Sequence, residues 1–350
     1  MWKKRLKQIQ PLSETWVKLA KDRVDNLVKP KGSLGLLEDM AIRAAAIREE
    51  EYPSFDKKKV VVFAGDHGVA TEENISAFPQ EVTGLMVKNF IDGVAAINVI
   101  SRSVGADVDV VDIGMKESPS DLQGLIRKNV VRGTGNIARG PAMTVEDAER
   151  AINVGVEMAE KACDQGFSIV AAGEMGIGNT TPSAALFSSL LPADVFDVTG
   201  RGTGIDDDTL GRKIKVIERA LEANKNRIKD PVSALAALGG MEIAGICGLC
   251  IGGAAKRMVV VVDGFIASAG AFVAMKLNPL VKEYLFFAHC SQERGHRVFF
   301  RKENIRPVLD LNMRLGEGTG ACLVMQLIEH AARIYNEMAT FEAVGIEPGS

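Results

Sequence analysis

The strongest constraint on this chain is a rhythm. Short apolar runs rich in β-branched residues alternate with stretches long enough for helices, and each run stops in small or polar residues. Val60–Ala64 ends in Gly65-Asp66-His67-Gly68, Val108–Ile113 in Gly114, and Phe167–Ala172 in Gly173-Glu174. Met258–Val262 ends in Asp263-Gly264, and Tyr284–Ala288 in His289-Cys290-Ser291. Val195–Val198 reads the same way, as a strand before a glycine-rich stretch. Strands this short and this apolar are buried on both faces. The pattern predicts an α/β fold with a parallel sheet, helices on both faces, and functional loops at the carboxyl ends of the strands.

Helices are expected from about Glu81 to Ile100, Thr144 to Asp164, Asp206 to Asn224 and Glu317 to Ala339. Thr144 and Asp147 have capping-box spacing, with Asp in place of Glu. The first 50 residues read as helices broken at Lys29-Pro30-Lys31-Gly32, with Ser33 available as a cap. They and the last 30 residues stand outside the alternation and are expected to pack together as a small helical domain.

Within this frame the stretch Gly173 to Thr180 (GEMGIGNT) carries the most chemistry. A strand, a glycine-rich turn and a helix start with Pro182 in its first turn make an anion site, because backbone N–H groups and the helix dipole converge there. The spacing imitates a P-loop, yet Asn179 stands where the lysine belongs, so an NTPase reading fails. What remains is a phosphate cradle with Glu174 inside it. Thr199 to Gly204 (TGRGTG) is a second loop of the same kind. The third stretch, Arg314 to Ala321 (RLGEGTGA), sets Glu317 between two glycines at the mouth of the last helix. A helix N-terminus would lower its pKa and burial would raise it; only burial suits a base near neutral pH.

Composition excludes other classes. A net charge of −3 over 350 residues argues against nucleic acid or an anionic membrane as the main partner. Five scattered cysteines suit reduced thiols, and Cys247 and Cys250 sit in an apolar helical pattern that reads as structural. The basic start lacks the apolar core of a signal peptide, so a cytoplasmic protein is expected. Four histidines without paired spacing argue against a zinc site, and no metal or other cofactor is expected. Nor is there an adjacent acidic pair at a strand end, as the usual phosphoribosyl-diphosphate transferases have.

With these residues in view, the chain resembles the nicotinate-nucleotide–dimethylbenzimidazole phosphoribosyltransferase family. Matching stretches are Lys29–Gly35, Ala64–Val69, Ser76–Gln80, Gly173–Thr181, Gly200–Gly204, Val262–Gly264 and Arg314–Ala321, in order over most of the chain. The resemblance implies a Rossmann-like sheet domain (53–317), a small helical domain from both ends (1–52 with 318–350), and a homodimer. The substrates it implies are nicotinate mononucleotide and a benzimidazole-type base. It implies Glu317 as catalytic base and Glu174 as a second carboxylate. The 5′-phosphate would lie against Gly176, Gly178, Asn179, Thr180, Gly202, Thr203, Gly204 and Ser291. The base would lie against Pro79, Gln80, Leu85, Met86, Met175 and Leu315. Relatives often carry Gln where this chain has Leu85, which bears on the choice of base. They also often have Arg where Cys290 stands, a change that either loosens a phosphate contact or moves the positive charge to Arg294.

Overall fold

A computed structural model describes residues 1–345; the last five residues of the expected small domain, 346–350, lie outside the described residues. In chain order the elements are α1 (Trp2–Leu6), α2 (Glu14–Asp25), α3 (Leu36–Arg48), β1 (Lys58–Gly65), α4 (Gly68–Glu73), α5 (Val82–Ile91) and α6 (Ala96–Ser103). Then come β2 (Ala106–Gly114), β3 (Ile126–Arg127), α7 (Val145–Asp164), β4 (Ile169–Met175), α8 (Thr180–Leu190), α9 (Val195–Val198) and α10 (Asp207–Asn224). The chain continues with α11 (Pro231–Leu238), α12 (Met241–Ala255), β5 (Val259–Val262), α13 (Phe265–Leu277), β6 (Leu285–Phe287), α14 (Arg294–Lys302) and α15 (Thr319–Glu337).

The sheet is wholly parallel, in the order β3-β2-β1-β4-β5-β6. This is the doubly wound Rossmann order, whose direction of winding reverses between β1 and β4, so a crevice opens at their carboxyl ends. The valine-rich run of β1 is buried along its whole length, as a central strand covered on both faces must be. On one face α7 and α12 cross with almost no separation. A Cβ on Gly155 would lie 1.9 Å from the Gly245 carbonyl oxygen, and one on Gly248 the same distance from that of Ile152. The glycines of this apolar helix therefore serve helix packing, and Cys247 and Cys250 are buried free thiols whose pKa burial raises.

The two ends of the chain meet. Val28 N–H donates to the Ala339 carbonyl at 2.9 Å, Phe341 N–H donates to that of Asn26 at 2.9 Å, and Arg23 reaches the Tyr335 carbonyl at 2.7 Å. α15 packs on α3 and also on β4 and β5, while α1 lies against α7 and α12.

Four local expectations differ from the structure. Val195–Val198 is a single helical turn, not a strand; a four-residue apolar run does not carry its own period. The helix expected over Glu81–Ile100 is two, split at Gly93 (φ +77°), where the Asn98 amide bridges the Ala95 N–H and the Phe90 carbonyl. The apolar 82–103 stretch is thus two short helices, each well below the roughly 20 residues that cross a bilayer. Glu174 lies in β4 itself, so the glycine turn begins only at Gly176. Gly35, not Ser33, is the N-cap residue of α3.

Candidate active site

A cavity of about 440 Å³ opens at the switch point. Its floor is the end of β4 and the turn into α8, where Gly176 passes so close to β1 that a Cβ would meet the Gly65 carbonyl at 2.5 Å. Gly178 holds φ +84°, a conformation that suits glycine, and the turn is tied to α5 by the Ile177 N–H donating to Thr83 Oγ1 at 3.2 Å. Asn179 and Thr180 follow at the N-terminus of α8, so the backbone there faces the cavity with the positive end of a helix.

The second glycine loop folds against the first, although it runs between two helices and follows no strand. Gly202 (φ +53°) and Thr203 line the cavity. Gly204 does not line it, and lies close to the Arg314 guanidinium. Glu293 accepts the Gly202 N–H at 2.7 Å, and Arg314 donates to the Gly202 carbonyl at 3.1 Å. Ser291 also lines the cavity, its N–H donating to His296 Nδ1 at 2.9 Å. That acceptor role leaves the His296 proton on Nε2, facing Ser268 Oγ at 2.9 Å. Burial, with the nearby His289 and Arg297, holds the His296 pKa well below its ordinary value.

Positive charge comes from a residue that the sequence reading passed over. Lys213, 1% exposed, donates to Thr180 Oγ1 at 2.7 Å and to the Gly200 carbonyl at 3.2 Å. Burial pushes its pKa down to about 8 against the opposing charge of Glu293. The signal was present in α10, since Lys213 shares the buried stripe of Val216, Ile217 and Ala220 at helical spacing. A lysine on that face has to be explained by what it meets inside. Arg294 stacks instead on Phe196, away from the cavity.

Of the two expected carboxylates, Glu174 lines the cavity and Glu317 does not, although the Glu317 backbone passes over Glu174. Glu174 is 6% exposed and accepts a hydrogen bond from the Asn179 side-chain amide. Burial pushes its pKa up to about 8, and the carboxylates of Glu242, Asp263 and Glu317 add to the shift. Glu317 rides on a turn that passes directly over β4. A Cβ on Gly316 would lie 2.2 Å from Glu174 Oε1, and one on Gly173 would lie 2.6 Å from the Glu317 carbonyl oxygen. Glu317 itself has φ +65°. Its carboxylate is buried and turned to α6, accepting the Ile97 N–H at 3.2 Å. Burial nonetheless outweighs that amide, and its pKa is raised.

The residues expected around the base divide. Met175 and Leu315 line the 440 Å³ cavity. Gln80 and Leu85 line a separate cavity of about 470 Å³ beside Asp66 and Lys116, with Leu85 61% exposed. Pro79 is exposed, and Met86 packs half-buried against the core.

A Rossmann-ordered sheet whose switch point holds two glycine loops, a helix N-terminus and a buried lysine against buried Glu174 has the geometry of an α/β enzyme's ligand site. A family model described as phosphoribosyltransferase matches residues 9–346. The chain belongs to the nicotinate-nucleotide–dimethylbenzimidazole phosphoribosyltransferase family. Proteins of that name from Geobacter sulfurreducens and Chlorobaculum parvum are 53% and 51% identical to it. Those matches cover 98% and 97% of this chain and 97% and 96% of the relatives. The crystal structure of CobT from Thermus thermophilus matches with a TM-score of 0.91 at 44% identity, over 96% of this chain and all of that one.

Proposed function

We propose that the protein transfers the phosphoribosyl group of nicotinate mononucleotide to 5,6-dimethylbenzimidazole or a related base, releasing nicotinate and forming the α-ribazole 5′-phosphate of cobalamin assembly. The observation that carries this reading is the crossing of the Glu317 turn over Glu174 at the sheet's switch point, beside a lysine-backed anion cradle.

The phosphate lies against the turn at 176–180, the loop at 202–204, Ser291 and Lys213. The leaving nitrogen belongs to a pyridinium ring, so nicotinate departs without a proton from an acid. Positive charge then builds at C1′, where an ionised Glu174 stabilises it. The benzimidazole attacks through its unprotonated nitrogen from the opposite face, inverting the configuration, and its other N–H is lost to Glu317. The raised pKa of Glu317 supports this role, because a base works best when its pKa lies near the working pH. Met175 and Leu315 flank the base, whereas Gln80 and Leu85 line the separate cavity beside Asp66, and Pro79 and Met86 line neither.

The same reading includes a small helical domain of residues 1–52 with 318–350, a homodimer, and a cytoplasmic setting.

The test incubates purified protein with nicotinate mononucleotide and 5,6-dimethylbenzimidazole beside a Glu317→Ala control. Nicotinate and ribazole phosphate are expected from the wild type and far less from the variant. Nicotinate release with adenine or a phenol but not with the benzimidazole would move the substrate and keep the mechanism. Nucleotide binding with no turnover on any acceptor would sink the enzyme reading.

A further inference from the structure

α15 begins without a cap of its own. Gly318 is its N-cap residue and offers no side-chain acceptor to the first amides of the helix. Those amides are met from another part of the chain. Gly318 N–H donates to Asp263 Oδ2 at 3.2 Å and Ala321 N–H donates to Asp263 Oδ1 at 2.9 Å, with the Gly320 amide beside them. Asp263 is the first residue after β5 and 1% exposed, and it does not line the cavity. His289 Nε2 lies 3.8 Å from its Oδ1, and a Cβ on Gly320 would strike the His289 ring at 2.3 Å.

The run that this carboxylate grips is unusual. Gly316, Glu317 and Gly318 have φ of +86°, +65° and +90° in succession. For the glycines this is ordinary. For Glu317 it is strained, and such backbone persists only where its surroundings hold it. Gly173 presses on the run from below, with no room for a side chain. Asp263 holds the downstream end.

We infer that Asp263 is a positioning residue for Glu317: it caps α15 across the sheet, fixes the Gly316-Glu317-Gly318 turn in its left-handed form, and so aims the Glu317 carboxylate. The inference rests on the reading of Glu317 as the base. It also carries an electrostatic signature, because the negative charge on Asp263 raises the pKa of Glu317 and of Glu174. The other ionisable groups that face this cluster are Glu242 with its partner His67 from the other side of β1, His289 after β6, and Cys322 on α15.

The experiment is a double-mutant cycle on the full chain with steady-state kinetics. Asp263→Asn should lower kcat about 10²-fold, the usual cost of a misplaced catalytic group, while KM for nicotinate mononucleotide stays within about twofold. The acidic limb of the kcat profile should move to lower pH. In a Glu317→Gln background the same substitution should cost less than about threefold, because the group it aims is already gone. Equal losses in both backgrounds, or wild-type kcat in Asp263→Asn, would overturn the inference. Wild-type turnover in Glu317→Gln alone would instead overturn the base assignment. Asp263→Ser, whose hydroxyl still accepts one amide, is the milder variant should Asp263→Asn fail to accumulate, and the same two outcomes decide it.

Discussion

Replacing Gly316 with alanine separates backbone strain from active-site geometry. At φ +86° an alanine is strained, at a cost of about 1–2 kcal/mol. The new Cβ would also lie 2.2 Å from Glu174 Oε1, where ordinary contact begins at 3.4 Å, so the carboxylate has to retreat by the difference, roughly 1.2 Å. That movement pulls it from the Asn179 amide and from the place where charge develops at C1′. A displacement of this size costs about 10²-fold in rate, or about 2.7 kcal/mol of barrier. Gly32→Ala is the matched control. Gly32 has φ +76° but nothing within 4 Å of the new Cβ, so it carries the strain without the collision. Thermal unfolding should show Gly32→Ala destabilised by the strain alone and Gly316→Ala by at least as much, and the nicotinate-release assay should show only Gly316→Ala slowed. Equal activities in the two folded variants would refute the argument that Gly316 exists to make room for Glu174.

Other expectations follow from the same geometry. Glu174 and Lys213 both titrate near pH 8, the carboxyl raised by burial and the ammonium lowered by it. Catalysis that needs the first ionised and the second protonated should give a narrow bell in kcat/KM centred near that pH. Lys213→Arg should remove its alkaline limb, and a profile flat over roughly two pH units either side would contradict the assignment. Gly155→Ala should leave little folded protein, since helix α7 would have to move off α12 by more than an ångström; a circular dichroism melt near that of the wild type would show that the crossing relaxes freely.

Much of the architecture was legible because it is written in local periods. Valine-rich runs that stop in Gly, Asp or His define parallel strands, and Thr144 caps its helix from three residues away, as its spacing foretells. The glycines at 176, 178, 202, 316 and 318 mark positions where the chain either takes a positive φ or passes too close for a side chain. Local pattern failed where the period was too short to read, as at Val195–Val198, or where one glycine split a helix, as at Gly93.

The site divides along the same line. The sequence alone determined which loops are glycine-rich, which strand ends are polar, and that Glu174 and Glu317 sit among them. Only the tertiary structure decided that Lys213 reaches Thr180 from a helix 33 residues on, that Glu317 turns to the N-terminus of α6, and that Asp263 caps α15 from the end of β5. These are contacts between segments far apart in the chain, and no spacing encodes them. The raised pKa values have the same origin. A carboxylate's desolvation depends on what encloses it, and the enclosure of Glu174 exists only once β1, β4 and the 316–318 turn have come together.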